Sequence, residues 1–149
     1  MGIEEDIKQK AFDSEFAKAL INIFYTSSWL TQRHQELFKS YNLTNPQYNV
    51  LRILRGQHPN PATVNLLIER MIDKSSNASR IVDKLEQKGL VVRKQCSDDR
   101  RAVDVLISKK GLSLLDKIDV QLKNLQDEIK NLNEAESKQL NKLLDKLRS

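Results

Sequence analysis

The residues whose chemistry is easiest to interpret lie in a short polar segment at the front of a predicted helix. This segment runs from Lys74 to Arg80, and Lys84 follows one helical turn later. Asn can form two hydrogen bonds with adenine and Arg two with guanine, so such a segment could contact base edges in a major groove. The residues predicted to contact DNA from it are Lys74, Ser75, Ser76, Asn77, Ser79, Arg80 and Lys84. In the alternative interpretation, the serines only cap the helix and the basic side chains are merely solvated.

A second basic segment lies shortly after this helix. The β-prone run Leu90-Val91-Val92 and the alternating run at 102–107 flank a polar stretch at 93–101, which predicts a two-stranded hairpin with a polar tip. Lys and Arg neutralise phosphates, and a narrow minor groove attracts Arg. We expect Asp98 and Asp99 to pair with a neighbouring Arg and hold the tip in shape. The hairpin residues assigned to the DNA interface are Arg93, Lys94, Asp99, Arg100 and Arg101.

Cys96, the chain's single cysteine, lies in the predicted hairpin. The cationic side chains of Arg93 and Lys94 could lower the pKa of its thiol, and oxidation would then alter a loop that meets DNA. The alternative is an incidental thiol without a redox role. One cysteine excludes an intramolecular disulfide and a Cys-based zinc cluster, and the two histidines are far apart in sequence. We therefore expect no metal and no cofactor.

The elements that must position these residues follow from the helix breakers. The 149-residue chain has four Gly and three Pro, and nearly all of them fall between positions 46 and 111. Two long segments without Gly or Pro, the arms, therefore flank a middle region that contains the helix-breaking residues. The length of the chain suits one domain. The first arm, about 5–39, has an apolar residue every three or four positions, and the last arm, 111–148, does likewise. Asn133 and Glu136 have capping-box spacing, so the last arm divides into two helices.

The middle of the chain predicts three short helices before the hairpin. Thr44 and Gln47 have the spacing of a capping box. Asn60 is predicted to cap the second helix, with Pro61 in its first position. Asp73 is predicted to cap the third helix at 74–88, which Gly89 ends and whose buried face carries Ala78, Ile81, Val82 and Leu85. We therefore expect a mainly α fold with a small β-wing: a winged helix-turn-helix lobe at 44–109 plus terminal dimerisation helices.

The net charge of +5 is concentrated in the middle of the chain. Positions 45–110 carry 13 Lys or Arg against seven Asp or Glu, a net charge of +6, whereas the remainder has 12 basic and 13 acidic residues. This distribution favours a polyanionic partner for the middle. The apolar stripes of the arms instead favour a second copy of the chain, that is, a homodimer, over a monomeric bundle.

Several classes of protein are disfavoured by what the sequence lacks. No apolar run is long enough to cross a membrane, and the acidic N-terminus lacks the apolar core of a secretory signal, so we expect a cytoplasmic protein without a membrane partner. The sequence has no Ser/His/Asp arrangement, no paired catalytic carboxylates and no glycine-rich phosphate loop. We therefore expect no enzyme.

Four segments, in order, resemble the MarR family of bacterial winged-helix regulators. They are Leu43-Thr44-x-x-Gln47, the run from Ser79-Arg80 to Leu90-Val91, Asp98-Asp99-Arg100-Arg101-Ala102-Val103 and Ile107-Ser108-x-Lys110-Gly111. The resemblance implies a single domain over 1–149, a homodimer held by its terminal helices, and binding of double-stranded DNA at a pseudo-palindromic operator, most often as a repressor. One departure is Ile68, which stands where the family usually has a small Ala.

The resemblance also implies release by a small anionic or phenolic effector, or by cysteine oxidation. Tyr25, Trp29 and Arg33 are spaced i, i+4 and could line an effector pocket near Tyr48 and Arg52. They could equally be packing residues of the dimer or of the lobe. The competing hypothesis for the whole chain is a dimeric winged-helix protein-interaction module that does not bind DNA.

Overall fold

The computed structural model describes residues 2–95 and 103–149, in which the chain forms two compact units, 1–112 and 113–149. The described elements are α1 (Ile3–Asp6), α2 (Glu15–Lys39), α3 (Asn45–Gln57), β1 (Ala62–Thr63), α4 (Val64–Arg70), α5 (Ala78–Gln87), β2 (Val91–Gln95), β3 (Val103–Ile107), α6 (Lys109–Ile129) and α7 (Glu134–Leu147). This is the predicted mainly α fold with a small antiparallel sheet.

The core of the first unit is centred on α3. The predicted capping box is present, because the Thr44 hydroxyl accepts the Gln47 backbone N–H and the Gln47 side chain accepts that of Thr44. The helix contacts α2, α4, α5 and β3. Its residues Val50, Leu51 and Leu54 are almost fully buried, as are α4 Leu67, α5 Val82 and Leu85, and β3 Val105.

The three strands form one antiparallel sheet in the order β1-β3-β2. Val91 of β2 pairs with Ile107, and Arg93 pairs with Val105. Val91, Val105 and Ile107 are buried, so the alternation predicted for the second hairpin strand is confirmed at positions 105 and 107. Strand β2 extends to Gln95, which places Arg93 and Lys94 in the strand and not in the hairpin tip.

The prediction that Asn60 caps the second helix was wrong. Ala62 and Thr63 form β1 and pair with Val105 and Asp104, so the chain is extended where a first helical turn was expected. Helix α4 begins instead at Val64, because the Thr63 hydroxyl accepts the backbone N–H of Leu66 at 3.1 Å.

The predicted start of the third helix was also wrong. Asp73 does not cap it; the cap is Asn77, whose Oδ1 accepts the backbone N–H of Arg80 at 3.1 Å. The helix starts there because Ala78 is the first residue of its buried face. The predicted end is confirmed: Gly89 has φ +74, and the N–H groups of Gly89 and Leu90 bond back to Glu86 and Leu85 as a Schellman motif.

The first arm begins later than the apolar stripe suggested. Lys8 has a left-handed backbone conformation (φ +55), so the helical path does not continue beyond the short helix α1. Helix α2 starts only after Ser14, whose hydroxyl accepts the Ala17 N–H. Phe38 is the one residue of α2 that is fully buried.

The start of α6 packs tightly against the turn that joins α5 to β2. The Ser108 hydroxyl donates to the Gly89 carbonyl and accepts the Gly111 N–H. A Cβ at Gly111 would clash with the Leu90 carbonyl oxygen and lie 2.7 Å from the Ile107 side chain, so this position needs glycine.

The second unit contains most of α6 and all of α7. The capping box predicted for Asn133 and Glu136 is present at the start of α7. None of the α7 residues is buried, although Leu140, Leu143 and Leu147 lie on one side of it. Within the described residues, no helix is both long and apolar enough to cross a membrane.

Candidate nucleic-acid interface

Helix α5 carries a basic face that points away from the core. Its buried face consists of Ala78, Val82 and Leu85, and Ile81, predicted to lie on that face, is only partly buried. Arg80 and Lys84, one turn apart, are exposed. Neither basic residue forms an ion pair with any residue that the structure describes. The two cationic groups are therefore exposed to solvent and lie away from the buried face of the helix, as the periodicity predicted.

The turn that precedes α5 is ordered by its own hydrogen bonds. The Asp73 carboxylate accepts the Ser75 N–H at 2.9 Å and the Ser75 hydroxyl at 2.6 Å. These bonds to Ser75 and a weaker one to Ser76 hold the pKa of the Asp73 carboxyl below its usual range. The structure thus places Ser75 and Ser76 in a turn before the helix, where they stay at the surface beside its N-terminus.

Two predicted contact residues already have structural partners. The Lys74 ammonium donates to the carbonyls of Ile68 (3.2 Å) and Glu69, at the C-terminal end of α4. Asn77 uses its Oδ1 to cap α5, which leaves its amide NH₂ for a second partner. Ser79 is exposed on the first turn of α5.

Arg93, also predicted to contact DNA, is held by acidic residues of α5. Its guanidinium forms an ion pair with Asp83, and its Nε lies 4.0 Å from a carboxylate oxygen of Glu86. Lys94, the next residue of β2, is exposed. Asp99, Arg100 and Arg101 of the predicted tip lie outside the described residues, as does Cys96.

Sequence inspection did not single out the residues that fix α5 to its neighbours. The Lys88 ammonium donates to the Asn42 carbonyl and, at 3.0 Å, to Oε1 of buried Gln47. Partial burial, with a smaller contribution from the charge of Lys84, lowers the pKa of the Lys88 ammonium. Asp83 and Glu86 could have been noticed as two carboxylates on a predicted DNA-contacting helix, where phosphate would repel them.

The residues proposed to bind an effector do not form one pocket. Tyr25 and Trp29 line an open groove of about 390 Å³ between α1 and α2, together with Ile3, Asp6, Asn22 and Thr26. Arg33 lies over the Trp29 ring at 4.8 Å. Tyr48 instead stacks on Phe38 at 4.3 Å, and neither it nor exposed Arg52 lines the groove. Ile68, noted as a departure in sequence, is 46% exposed and does not fill the core.

Within the described residues, no three His, Cys, Asp or Glu side chains come together as a metal site would require.

Comparisons with known proteins agree with this arrangement. The family model for the MarR family matches residues 43–103. The HTH-type transcriptional regulator MgrA of Staphylococcus aureus is 28% identical over 143 residues, which cover 94% of this chain and 88% of MgrA. The family match over the winged-helix lobe and the similarity to MgrA together support assignment of the chain to the MarR family.

Solved structures of MarR-type proteins share the fold. The S. aureus MepR–DNA complex aligns with a TM-score of 0.74 at 20% identity, over 85% of this chain and 91% of MepR. The organohalide-sensing regulator RdhR-CbdbA1625, solved in its 2,4-dichlorophenol-bound form, aligns with a TM-score of 0.79 at 20% identity, over 94% of this chain and 85% of that one. These structures share the winged-helix fold of this chain, and the family match and the similarity to MgrA support a DNA-binding transcriptional regulator.

Proposed function

We propose that this chain is a homodimeric repressor of a pseudo-palindromic operator, released by a small effector or by oxidation. The observation that carries the DNA contact is the division of α5 into a buried face and an exposed basic face with Arg80 and Lys84. A helix anchored on one side and basic on the other suits a major groove between phosphates. Arg80 is positioned near the N-terminus, where side chains of recognition helices contact bases.

The homodimer is supported by apolar surface that a single chain leaves in water. Leu140, Leu143 and Leu147 of α7 are 41–56% exposed, and α2 exposes Phe16 and Phe24 even more. Covering such surface contributes about 25 cal/mol per Å². A second copy of the chain would cover it under two-fold symmetry, and the dimer would present two α5 helices to two half-sites.

The test begins with selection of genomic DNA fragments by the purified full chain, followed by mobility-shift titration of the selected site. We expect two inverted half-sites about one helical turn apart, and binding that weakens steeply with salt. Insertion of about five base pairs between the half-sites should abolish binding by the dimer, because it rotates one half-site to the opposite side of the duplex. A protein-interaction module would bind no duplex in a salt-dependent way.

Release by a small aromatic ligand is supported by the groove between α1 and α2. The aromatic side chains of Tyr25 and Trp29 line it, and Arg33 lies over Trp29. Because Trp29 is the only tryptophan in the chain, its fluorescence reports directly on this groove. We expect a phenolic probe such as 2,4-dichlorophenol to quench this fluorescence and to release DNA; Tyr25→Ala should reduce both effects. Quenching without release would contradict an effector role for the groove.

Release by oxidation depends on Cys96, the only thiol. If oxidation is the signal, peroxide should release the wild-type protein from its operator and leave the Cys96→Ser variant bound. Equal responses of the two proteins would assign the thiol no regulatory role.

A further inference from the structure

Arg93 occupies an unusual position at the edge of the core. It pairs with Val105 across the sheet, so both side chains project from the same face. Val91, two residues earlier in β2, and Ile107 are buried on this face. Arg93 therefore continues an apolar row with a charged side chain, on the part of β2 that is exposed to solvent.

The side of α5 that meets Arg93 presents three oxygen acceptors. Ser79, Asp83 and Glu86 are spaced i, i+4 and i+7, which places them on one face of the helix. The Arg93 guanidinium pairs with Asp83, lies 4.0 Å from Glu86 and donates a long 3.5 Å bond to the Ser79 carbonyl. One planar cation thus connects a strand of the wing to three positions along α5.

This face of α5 differs from the basic face in a way that matters for DNA. Asp83 and Glu86 are half-exposed carboxylates on the helix proposed to enter the groove, and phosphate would repel them. Arg93 offsets that charge, but a guanidinium held by two carboxylates is not free to bind phosphate. Its position points to a role within the protein.

We propose that Arg93 is a positioning residue: it fixes the angle between the recognition helix α5 and the wing through Asp83 and Glu86, and does not bind DNA phosphate. This inference rests on the proposed DNA binding. Arg93 lies on β2, so the ion pairs set the orientation of the paired strands β2 and β3 relative to α5. A change in this angle should alter the discrimination between operator and other DNA, and should alter the total number of phosphate contacts less.

The decisive experiment measures the operator affinity of the Asp83→Ala variant, because the two possible roles of Arg93 predict changes of opposite sign. If Arg93 positions the wing, removing its partner weakens operator binding, by about 3- to 30-fold, a range typical of coupled contacts. If Arg93 binds phosphate, the same variant tightens binding, because a repulsive carboxylate is lost and the guanidinium is released. Asp116→Ala, which removes an exposed carboxylate from α6, is the matched control for net charge and should leave affinity nearly unchanged.

A double-mutant cycle provides the second readout. Arg93→Ala should weaken binding in the wild-type background but have little further effect in the Asp83→Ala, Glu86→Gln background, since its partners are already absent. The charge-swapped variant Arg93→Asp with Asp83→Arg should recover most of the lost discrimination between operator and unrelated DNA. Equal effects of Arg93→Ala in both backgrounds, or no recovery by the swap, would overturn the proposal.

Salt dependence separates this role from a phosphate contact. Arg93→Ala should leave the slope of log affinity against log salt unchanged, whereas loss of a phosphate contact lowers it by about 0.9. Thermal unfolding of each variant confirms that it is folded, and the ion pairs are exposed enough that stability should change little. If the wild-type chain bound no DNA at all, the proposed function would fail before any of these comparisons could be made.

Discussion

The winged-helix lobe and the terminal helices of this chain differ in how completely one copy buries them. Between positions 43 and 107, side chains such as Val50, Leu67 and Val82 are fully buried. Helix α7 has no buried residue, and α2 has only Phe38. The lobe closes its core within one chain, whereas α2 and α7 keep apolar side chains exposed to solvent. The charge follows a similar division, because positions 45–110 carry a net charge of +6 and the remainder carries −1.

The largest expected effect comes from placing charge on the apolar face of α7. Leu140→Glu combined with Leu143→Glu should convert the proposed dimer to a monomer, because two carboxylates would have to be buried in the proposed interface. Loss of the second half-site should weaken operator binding by about 100-fold or more. Sedimentation and mobility-shift titration measure the two effects. Lys142→Glu, on the opposite side of α7, is the matched control and should leave the protein dimeric. A double variant that remained dimeric would show that the apolar face of α7 is not the interface.

The second prediction sharpens the assignment of the basic face in the lobe. Arg80→Ala should cost about 1–3 kcal/mol of operator binding and reduce base discrimination, because a bidentate contact to a base is lost. Lys84→Ala should weaken binding to all sequences alike and lower the salt slope by about 1. Titrations against operator and unrelated DNA at several salt concentrations distinguish the two. Lys123→Ala in α6 should change neither quantity.

A third prediction compares one substitution at two glycines. Gly111→Ala should lower the free energy of unfolding by about 1–3 kcal/mol, since the new methyl group overlaps the Leu90 carbonyl and Ile107. Gly56→Ala, in α3 with no atom within 4 Å of the added Cβ, should raise it by up to about 1 kcal/mol. Urea unfolding measures both. Equal effects would show that the contact between Leu90 and the start of α6 is looser than described.

The smallest expected effect concerns pH and the terminal helix α2. Burial lowers the pKa of the half-buried His34 imidazole, whose ring lies 5.8 Å from that of Phe38. The folded chain therefore binds a proton at His34 less readily than the unfolded chain does. His34 should thus destabilise the fold as pH falls below about 6.5, the ordinary value of the imidazole pKa. His34→Gln should therefore flatten the acid side of the profile of unfolding free energy against pH.

Much of the fold could be predicted from local sequence. The capping boxes at Thr44 and Asn133, the buried face of α5 and the glycine stop at Gly89 were predicted and are present. Each of these depends on residues within a few positions of one another, whose backbone and side-chain preferences act locally. The exposed basic face with Arg80 follows from the same periodicity.

Strand β1 and the true starts of α4 and α5 could not be predicted from local sequence. Asn60-Pro61 and Asp73 are locally acceptable helix starts. Pairing of Ala62 with distant Val105, and burial of Ala78 against the core, decide otherwise. Local preferences of this kind amount to about 1 kcal/mol, which tertiary pairing and burial readily exceed.

The sequence by itself determined the winged-helix class, the location of the positive charge and the basic face of α5, because these depend on periodicity and composition. Only the tertiary structure decided which basic residues are free and which are occupied. Arg93 and Lys84 look alike in the sequence, yet one is held by carboxylates of α5 and the other faces solvent. The physical reason is that an ion pair depends on distances between side chains of different elements, and those are fixed only when the sheet packs on the helix.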